Sequence, residues 1–126
     1  MVGTGYLVGR FDMVNIRDLD LIAQASQACE QLVLLVPSDE LSLAMTGRLP
    51  VVPVNERVAI AAELQGVDSV VTVESTSLEL DSDAVLFAAD DEVLPAGWDA
   101  ARLSGMRTSA SAILRRWQAP AVSGAA

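Results

Sequence analysis

The chain of 126 residues contains no histidine, no lysine and a single cysteine, Cys29. Without histidine there is no Ser-His-Asp or Cys-His catalytic system. A zinc site built from His and Cys is excluded as well. One cysteine permits no internal disulfide. Cys29 lies on the apolar side of the first predicted helix with no histidine to activate it, so it reads as a packing residue. No apolar run approaches the ~20 residues that a membrane helix needs, and no membrane partner is expected. No G-x-x-x-x-G-K-[ST] loop is present. The glycines of GTGYLVG near the start precede an apolar strand and make a weak phosphate loop. The opening residues lack a basic start followed by a long apolar stretch, so no secretory signal is expected and the expected location is cytoplasmic.

The charge is one-sided. Seventeen acidic residues oppose eight arginines, for a net charge of −9. Such a surface repels nucleic acid, whose binding depends on neutralising phosphates, and no nucleic-acid partner is expected. A nucleoside triphosphate would need a local cluster of arginines. The lack of lysine beside abundant alanine and arginine points to a high-GC bacterial source.

What is present is a globular composition, 52% hydrophobic and 20% charged, long enough for one domain with a core. Tyr6–Phe11 reads as a short buried strand. Leu19, Ile22, Ala23 and Ser26 form a helical stripe, with Asn15 or Asp18 as its N-cap. Leu32–Val36 is the continuous apolar run of a strand covered on both faces, ended by Pro37, Ser38 and Asp39. The segment 41–54, with Gly47, Pro50 and Pro53, is expected to be mostly loop. Val58, Ala61, Ala62 and Leu64 predict a second helix closing near Gly66. Val67–Val73 and Ala84–Ala89 predict two further strands, and Ser109–Trp117 a last short helix. Residues 118–126 read as a disordered tail. The alternation of strands and helices predicts an α/β fold: a Rossmann-like doubly wound parallel sheet in three α/β/α layers, one domain over 1–117. Its ligand crevice would lie beyond the C-terminal strand ends, where Phe11–Asp18 falls.

Residues 9–22, GRFDMVNIRDLDLI, resemble the phosphate-binding signature of the cytidylyltransferase-like nucleotidyltransferases, G-x-F-D-x-x-H-x-G-H-L. Gly9, Phe11, Asp12 and Leu19 keep the frame. Further stretches resemble the glycerol-3-phosphate cytidylyltransferase type. EQLVLLVPSDE (30–40) is similar to the second strand and its Ser-Asp-Glu. GRLPVVPVNERVAI (47–60), with Arg48, Pro50, Pro53, Glu56 and Arg57, is similar to a G-R-x-P-V-x-P-x-x-E-R-x-x-I segment. GVDSVVTV (66–73), AVLFAADDE (84–92) and RTSASAILRR (107–116) are similar to the third strand, the G-D-D-W strand and the closing S/T-S-T motif. The resemblance covers roughly residues 3–117. Segment 93–106 matches poorly and looks shortened, as if a late helix and strand were trimmed.

The resemblance implies the nucleotidyltransferase fold and the joining of CTP to an alcohol phosphate with release of pyrophosphate. It also implies a homodimer, and Mg²⁺ if the chain is active. Nucleotidyl transfer needs positioning and charge stabilisation more than covalent help. The positions that would supply these are altered. Asn15, Arg17 and Asp18 stand for the His, Gly and His of the motif. Thr46 stands where a loop lysine is usual, Ala89 and Glu92 at the ends of G-D-D-W, and Ala110 and Ala112 at closing hydroxyls. An anion at Asp18 beside a triphosphate costs roughly 4 kcal/mol per unit pair at ~4 Å and an effective dielectric of ~20. Losing several transition-state donors predicts a rate loss of roughly 10⁴ or more.

The candidate site residues are therefore the degenerate catalytic positions Asn15, Arg17 and Asp18. With them stand the nucleotide- or phosphate-binding positions implied by the resemblance: Gly9, Phe11, Asp12, Arg48, Arg57, Asp90, Arg107, Ser109 and Ser111. Asp12 reads equally as a ligand to a substrate or metal water and as a capping carboxylate. Asp90 and Asp91 read as a solvated acidic turn in preference to a Mg²⁺ site, and no metal site is assigned. Arg57 reads as a phosphate ligand in preference to a surface ion pair. Arg115 and Arg116 read as favourable placements in a last helical turn. Trp98 and Trp117 read as core or as an exposed patch. The leading expectation is a scaffold that has lost the family reaction and works as a binding or interaction module, with weak nucleotide binding at most. The alternative is an active transferase with a rewired site, using Arg17 and acidic metal ligands.

Overall fold

The computed structural model describes residues 2–105. Within them the elements run β1 (Val2–Val8), α1 (Ile16–Gln27), β2 (Cys29–Pro37), α2 (Asp39–Thr46), α3 (Val54–Ala61), β3 (Ser69–Val73), β4 (Val85–Ala89) and β5 (Ala101–Leu103). The strands form one sheet in the order β3-β2-β1-β4-β5. Every pairing is parallel, as the Leu7↔Leu34 and Leu7↔Phe87 registers of the central strand illustrate. The chain winds outward from β1 to β3, then returns to place β4 against the other side of β1. The point where the winding reverses lies between β1 and β4, where open α/β sheets form a crevice.

The two faces of the sheet are covered differently. Leu21, Ile22 and Ala25 of α1 and Ala61 of α3 pack with Leu7, Leu32, Leu34 and Phe87 on one face. On the other, Leu41 and Met45 of α2 join Val8, Leu35, Leu86 and Ala88. No helix lies between β3 and β4 or between β4 and β5. Leu78, Leu80, Leu94 and Trp98 from these irregular crossovers complete the second cluster. Trp98 thus packs half-buried against this cluster, and its indole N–H donates to the Thr76 carbonyl at 2.8 Å.

Several boundaries differ from the sequence reading. The first strand starts at Val2 and ends at Val8, short of Phe11. Phe11 and Met13 take positive φ values of 51° and 59°, so the chain leaves the sheet at Gly9. Gly5 weakens the apparent strand signal, yet it is needed: a Cβ there would sit 2.8 Å from Cys29 Sγ and 3.0 Å from Phe87. In α1 the buried residues are Asp20, Leu21, Ile22 and Ala25, while Leu19 is exposed. The stripe was expected about one residue out of phase.

The loop expected over 41–54 is overturned in its first half by α2. The Ser38 hydroxyl accepts from Leu41 N–H at 3.1 Å, and Gly47 closes the helix at φ 79°. Eight residues are too few to display a clear stripe. The turn residues Gly47, Pro50 and Pro53 mark only the loop that follows. α3 begins immediately after Pro53 and ends at Ala61, before Gly66. The segment expected to be trimmed still supplies an edge strand, β5, which is too short to register as a pattern. The predicted helix Ser109–Trp117 and the tail lie outside the described residues.

Candidate functional site

The carboxyl ends of β1 and β4, the start of α1 and the residues after β5 meet at the switch point. Asn15 begins α1 as its N-cap. Its side-chain carbonyl accepts from Arg17 N–H at 3.0 Å and Asp18 N–H at 3.3 Å, and Asp18 Oδ2 accepts in return from Asn15 N–H at 3.1 Å. This is a reciprocal capping box, made with Asp at the third helical position. Both side chains therefore face the helix's own amides. Burial pushes the Asp18 carboxyl above its ordinary value, against the pull of the Asn15 N–H.

Arg17 crosses the crevice. Its Nη2 donates to Asp91 Oδ1 at 2.6 Å and reaches Asp90 Oδ1 at 3.4 Å. Asp90 is itself held, because Ser104 Oγ donates to its Oδ2 at 2.9 Å and its N–H donates to the Leu103 carbonyl. Gln24 Nε2 donates to the Ser104 carbonyl at 2.7 Å, tying the segment after β5 to α1. Gly105 packs so closely that a Cβ there would lie 2.5 Å from Arg17 Cγ. The hydrogen bond from Arg17 holds the Asp91 carboxyl below its ordinary value. The mouth between β1 and β4 is thus spanned by an internal ion pair.

Asp12 is spent on the neighbouring loop. Its Oδ2 accepts from Val51 N–H at 2.9 Å and its Oδ1 from Val52 N–H at 2.8 Å. Both carboxylate oxygens thus brace backbone amides of that loop. Phe11 is buried, its ring packed under Gly9 so tightly that a Cβ at Gly9 would sit 3.0 Å from it. Phe11, Asp12 and loop 47–53 therefore form one unit.

Arg57 lies wholly inside. Its Nε donates to the Val52 carbonyl at 2.9 Å, Nη1 to the Arg10 carbonyl at 2.9 Å, and Nη2 to Pro37 O at 3.0 Å and Asp39 Oδ1 at 2.8 Å. Four of its five donors are engaged. The residue joins the ends of β1 and β2, the start of α2 and loop 47–53, and presents no face to solvent.

Arg48 is exposed, and its guanidinium has no hydrogen-bond or ion-pair partner among the described residues. It lines a cavity of about 260 Å³ with Arg10, Asp12, Thr46, Leu49 and Val51. Arg10 was not singled out by the sequence, because it occupies the unspecified position of G-x-F-D. Its Nη1 lies 3.8 Å from Glu92 Oε2. Burial pushes Glu92 above its ordinary value of 4.5 despite that arginine. Ser104 was likewise missed, and only its position next to Asp90 gives it a role. Arg107, Ser109 and Ser111 lie outside the described residues. Among the described residues no group of three or more Asp, Glu, Cys or His is arranged to hold a metal ion. Asp90 and Asp91 face Arg17, a poor setting for Mg²⁺.

The family model described as cytidylyltransferase-like matches residues 6–116. The chain belongs to the cytidylyltransferase-like family. No curated protein sequence matches it. Its fold is shared with the lipopolysaccharide core biosynthesis protein from Thermoplasma volcanium GSS1, at TM-score 0.62 and 19% identity, over 79% of this chain and 80% of that one. The doubly wound parallel α/β sheet is therefore the nucleotidyltransferase fold, and the crevice beyond β1 and β4 is where the family signature lies. Among the described residues no helix is long and apolar enough to cross a membrane.

The buried carboxyls give the site a pH signature. A carboxyl raised by folding is penalised while ionised. That penalty is full above the folded pKa and vanishes below the unfolded value. Glu92 thus adds stability as pH falls through a window opening upward from 4.5, and Asp18 does so upward from 3.8. Asp91 acts oppositely: its stabilisation by Arg17 is present above 3.8 and is lost as pH falls through its lowered value. Glu92→Gln is expected to raise stability at pH 7 and to flatten the gain just above pH 4.5. Urea titrations across pH measure both effects.

Proposed function

We propose that this member of the family has lost the family reaction and serves as a binding or interaction module, working as a homodimer. The observation that carries the reading is the Arg17 ion pair with Asp90 and Asp91, which spans the crevice at the start of α1. A triphosphate approaching the helix N-terminus would ordinarily find open backbone amides and histidines. Here the amides of Arg17 and Asp18 are capped by Asn15. Two carboxylates, Asp90 and Asp91, stand across the crevice on Arg17. The one cation among them is already neutralised.

An active transferase using Arg17 would need that guanidinium directed at phosphate. Its release would leave two carboxylates facing the substrate. Nothing in the arrangement favours this second reading over the first.

The test incubates the full chain with CTP, Mg²⁺ and glycerol 3-phosphate and measures pyrophosphate. Release is expected to stay at background, in keeping with a loss of roughly 10⁴ or more from missing transition-state donors. Sustained pyrophosphate release above background overturns the proposal. Sedimentation is expected to give a species of two chains.

A further inference from the structure

The most exposed large hydrophobic side chains among the described residues are Val51, Met13 and Leu49, at 75%, 66% and 63%. They stand together. Leu49 and Val51 lie on loop 47–53, and Met13 follows Asp12, whose carboxylate accepts from the Val51 and Val52 amides. Single exposed apolar residues are ordinary on a surface, whereas a contiguous group marks an interaction site. The group is also held in place. Met13 takes a positive φ of 59°, a backbone conformation that costs a residue with a side chain free energy and persists only where the surroundings enforce it. The two Asp12 bonds fix that turn against the loop. A patch set beforehand loses little freedom on association.

Charge around the patch differs from that of the chain as a whole. A net charge of −9 makes two copies repel, so copies associate best where positive charge is free. Of the arginines among the described residues, Arg17 is bound to Asp90 and Asp91, and Arg57 is buried among four acceptors. Arg102 Nη1 donates to the carbonyls of Ala89 and Glu92, both at 2.8 Å. Arg48 has no side-chain partner among the described residues, and Arg10 has only Glu92 at 3.8 Å. Both line the cavity of about 260 Å³ beside Leu49 and Val51. An acidic group stands at the other end of the loop: Glu56 is exposed in the first turn of α3. The rim of the patch thus carries both signs about an apolar centre, which is what a two-fold contact needs to be self-complementary. Another recess, about 360 Å³ against Tyr6, Val71 and Leu80 on the sheet face, lacks this property. Its charged lining is Glu74 and Glu79 alone, and like charges facing each other oppose association.

We propose that Met13 and loop 47–53 form the contact between two copies of this chain, related by a two-fold axis through the patch. The inference rests on the homodimer reading above and locates its interface. Met13 of each copy enters the cavity beside Leu49 and Val51 of the other, where a flexible, unbranched side chain suits an irregular recess. Arg48 of each copy faces Glu56 of the other. The apolar anchors are then ringed by polar groups that exclude water, the anatomy of specific interfaces.

Analytical ultracentrifugation of the full chain over about 1–1,000 µM, the range of moderate to weak association, tests this. Val51→Asp and Met13→Asp are each expected to weaken the dimer at least about thirtyfold, the effect of losing a hot-spot residue. Arg48→Glu and Glu56→Arg are each expected to weaken it about tenfold by setting like charges together. The chain carrying both R48E and E56R is expected to regain most of that loss. Val71→Asp, on the sheet face, is expected to leave association unchanged. Thermal melts verify that each variant is folded; Val51, Arg48 and Glu56 are exposed, so their variants retain the test should Met13→Asp unfold. A dimer that survives both Val51→Asp and Met13→Asp overturns this inference alone, as does a dimer that Val71→Asp dissociates. Failure of the exchanged pair to restore association overturns the two-fold arrangement. A wild-type chain that stays monomeric throughout removes the homodimer reading as well. Pyrophosphate release, measured separately, decides whether the family reaction is lost, whatever the oligomeric state.

Discussion

Arg57→Ala is expected to destabilise the fold by about 3–5 kcal/mol, the cost of breaking a buried charge pair by removing one partner. The guanidinium is fully buried, and its loss strands the carbonyls of Arg10, Pro37 and Val52 together with Asp39. Those groups come from three separate stretches of chain, around residue 10, over 37–39 and at Val52, so the loss is felt at the ends of both β1 and β2. Arg57→Lys keeps the charge but has three donors on one nitrogen and cannot reproduce the fork. It is expected to recover only part of the stability. Urea unfolding followed by circular dichroism separates the two variants. An Arg57→Ala loss below about 1 kcal/mol, the range of exposed ion pairs, would show that the residue is not a buried brace.

Asp12→Ala is the second large effect. Two charge-assisted hydrogen bonds to Val51 and Val52 are lost, at net values of about 1.5–3 kcal/mol for a bond to a charged group. The two need not add, since the Val51 amide lies where water can replace the carboxylate. A total of roughly 2–4 kcal/mol is expected on that scale. Hydrogen exchange locates it: the Val51 and Val52 amides should exchange faster, while those of α1 keep their protection. Asp12→Asn retains one acceptor and should lie between. If Asp12 served chiefly as a ligand to metal or substrate, its removal would leave stability and loop exchange unchanged.

The two substitutions show why motif and role diverged here. Asp12 and Arg57 both sit in stretches that match the family pattern. The matched spacing marked both as candidates. Whether a matched charged residue faces ligand or scaffold depends on groups far away in sequence. Asp12 meets amides about forty residues on, and Arg57 gathers carbonyls from β1, β2 and loop 47–53. Arg17 shows the same thing from the opposite side. Its identity flagged a broken motif, but its pairing with Asp90 and Asp91 required β4 to lie beside β1.

The parallel sheet was legible because β2 and β4 carry continuous apolar runs, the composition of strands covered on both faces. The Asn15 cap was legible because a cap is a local hydrogen bond within three residues. α2 and β5 were not, since elements of eight and three residues are too short for periodicity to separate them from loop. Gly5 concealed the start of β1 for another reason, because its value lies in the close approach of Cys29 and Phe87.

By itself the sequence determined the family, the α/β class, the concentration of charge changes at the signature and the absence of histidine and lysine chemistry. These follow from residue identity and local spacing. Only the tertiary structure decided that Arg17 is neutralised, that Asp12 and Arg57 brace loops, and that Arg10 and Arg48 share a cavity. Hydrogen bonds and ion pairs act over a few ångströms, and their partners here are brought together by strand order, which residue spacing does not encode.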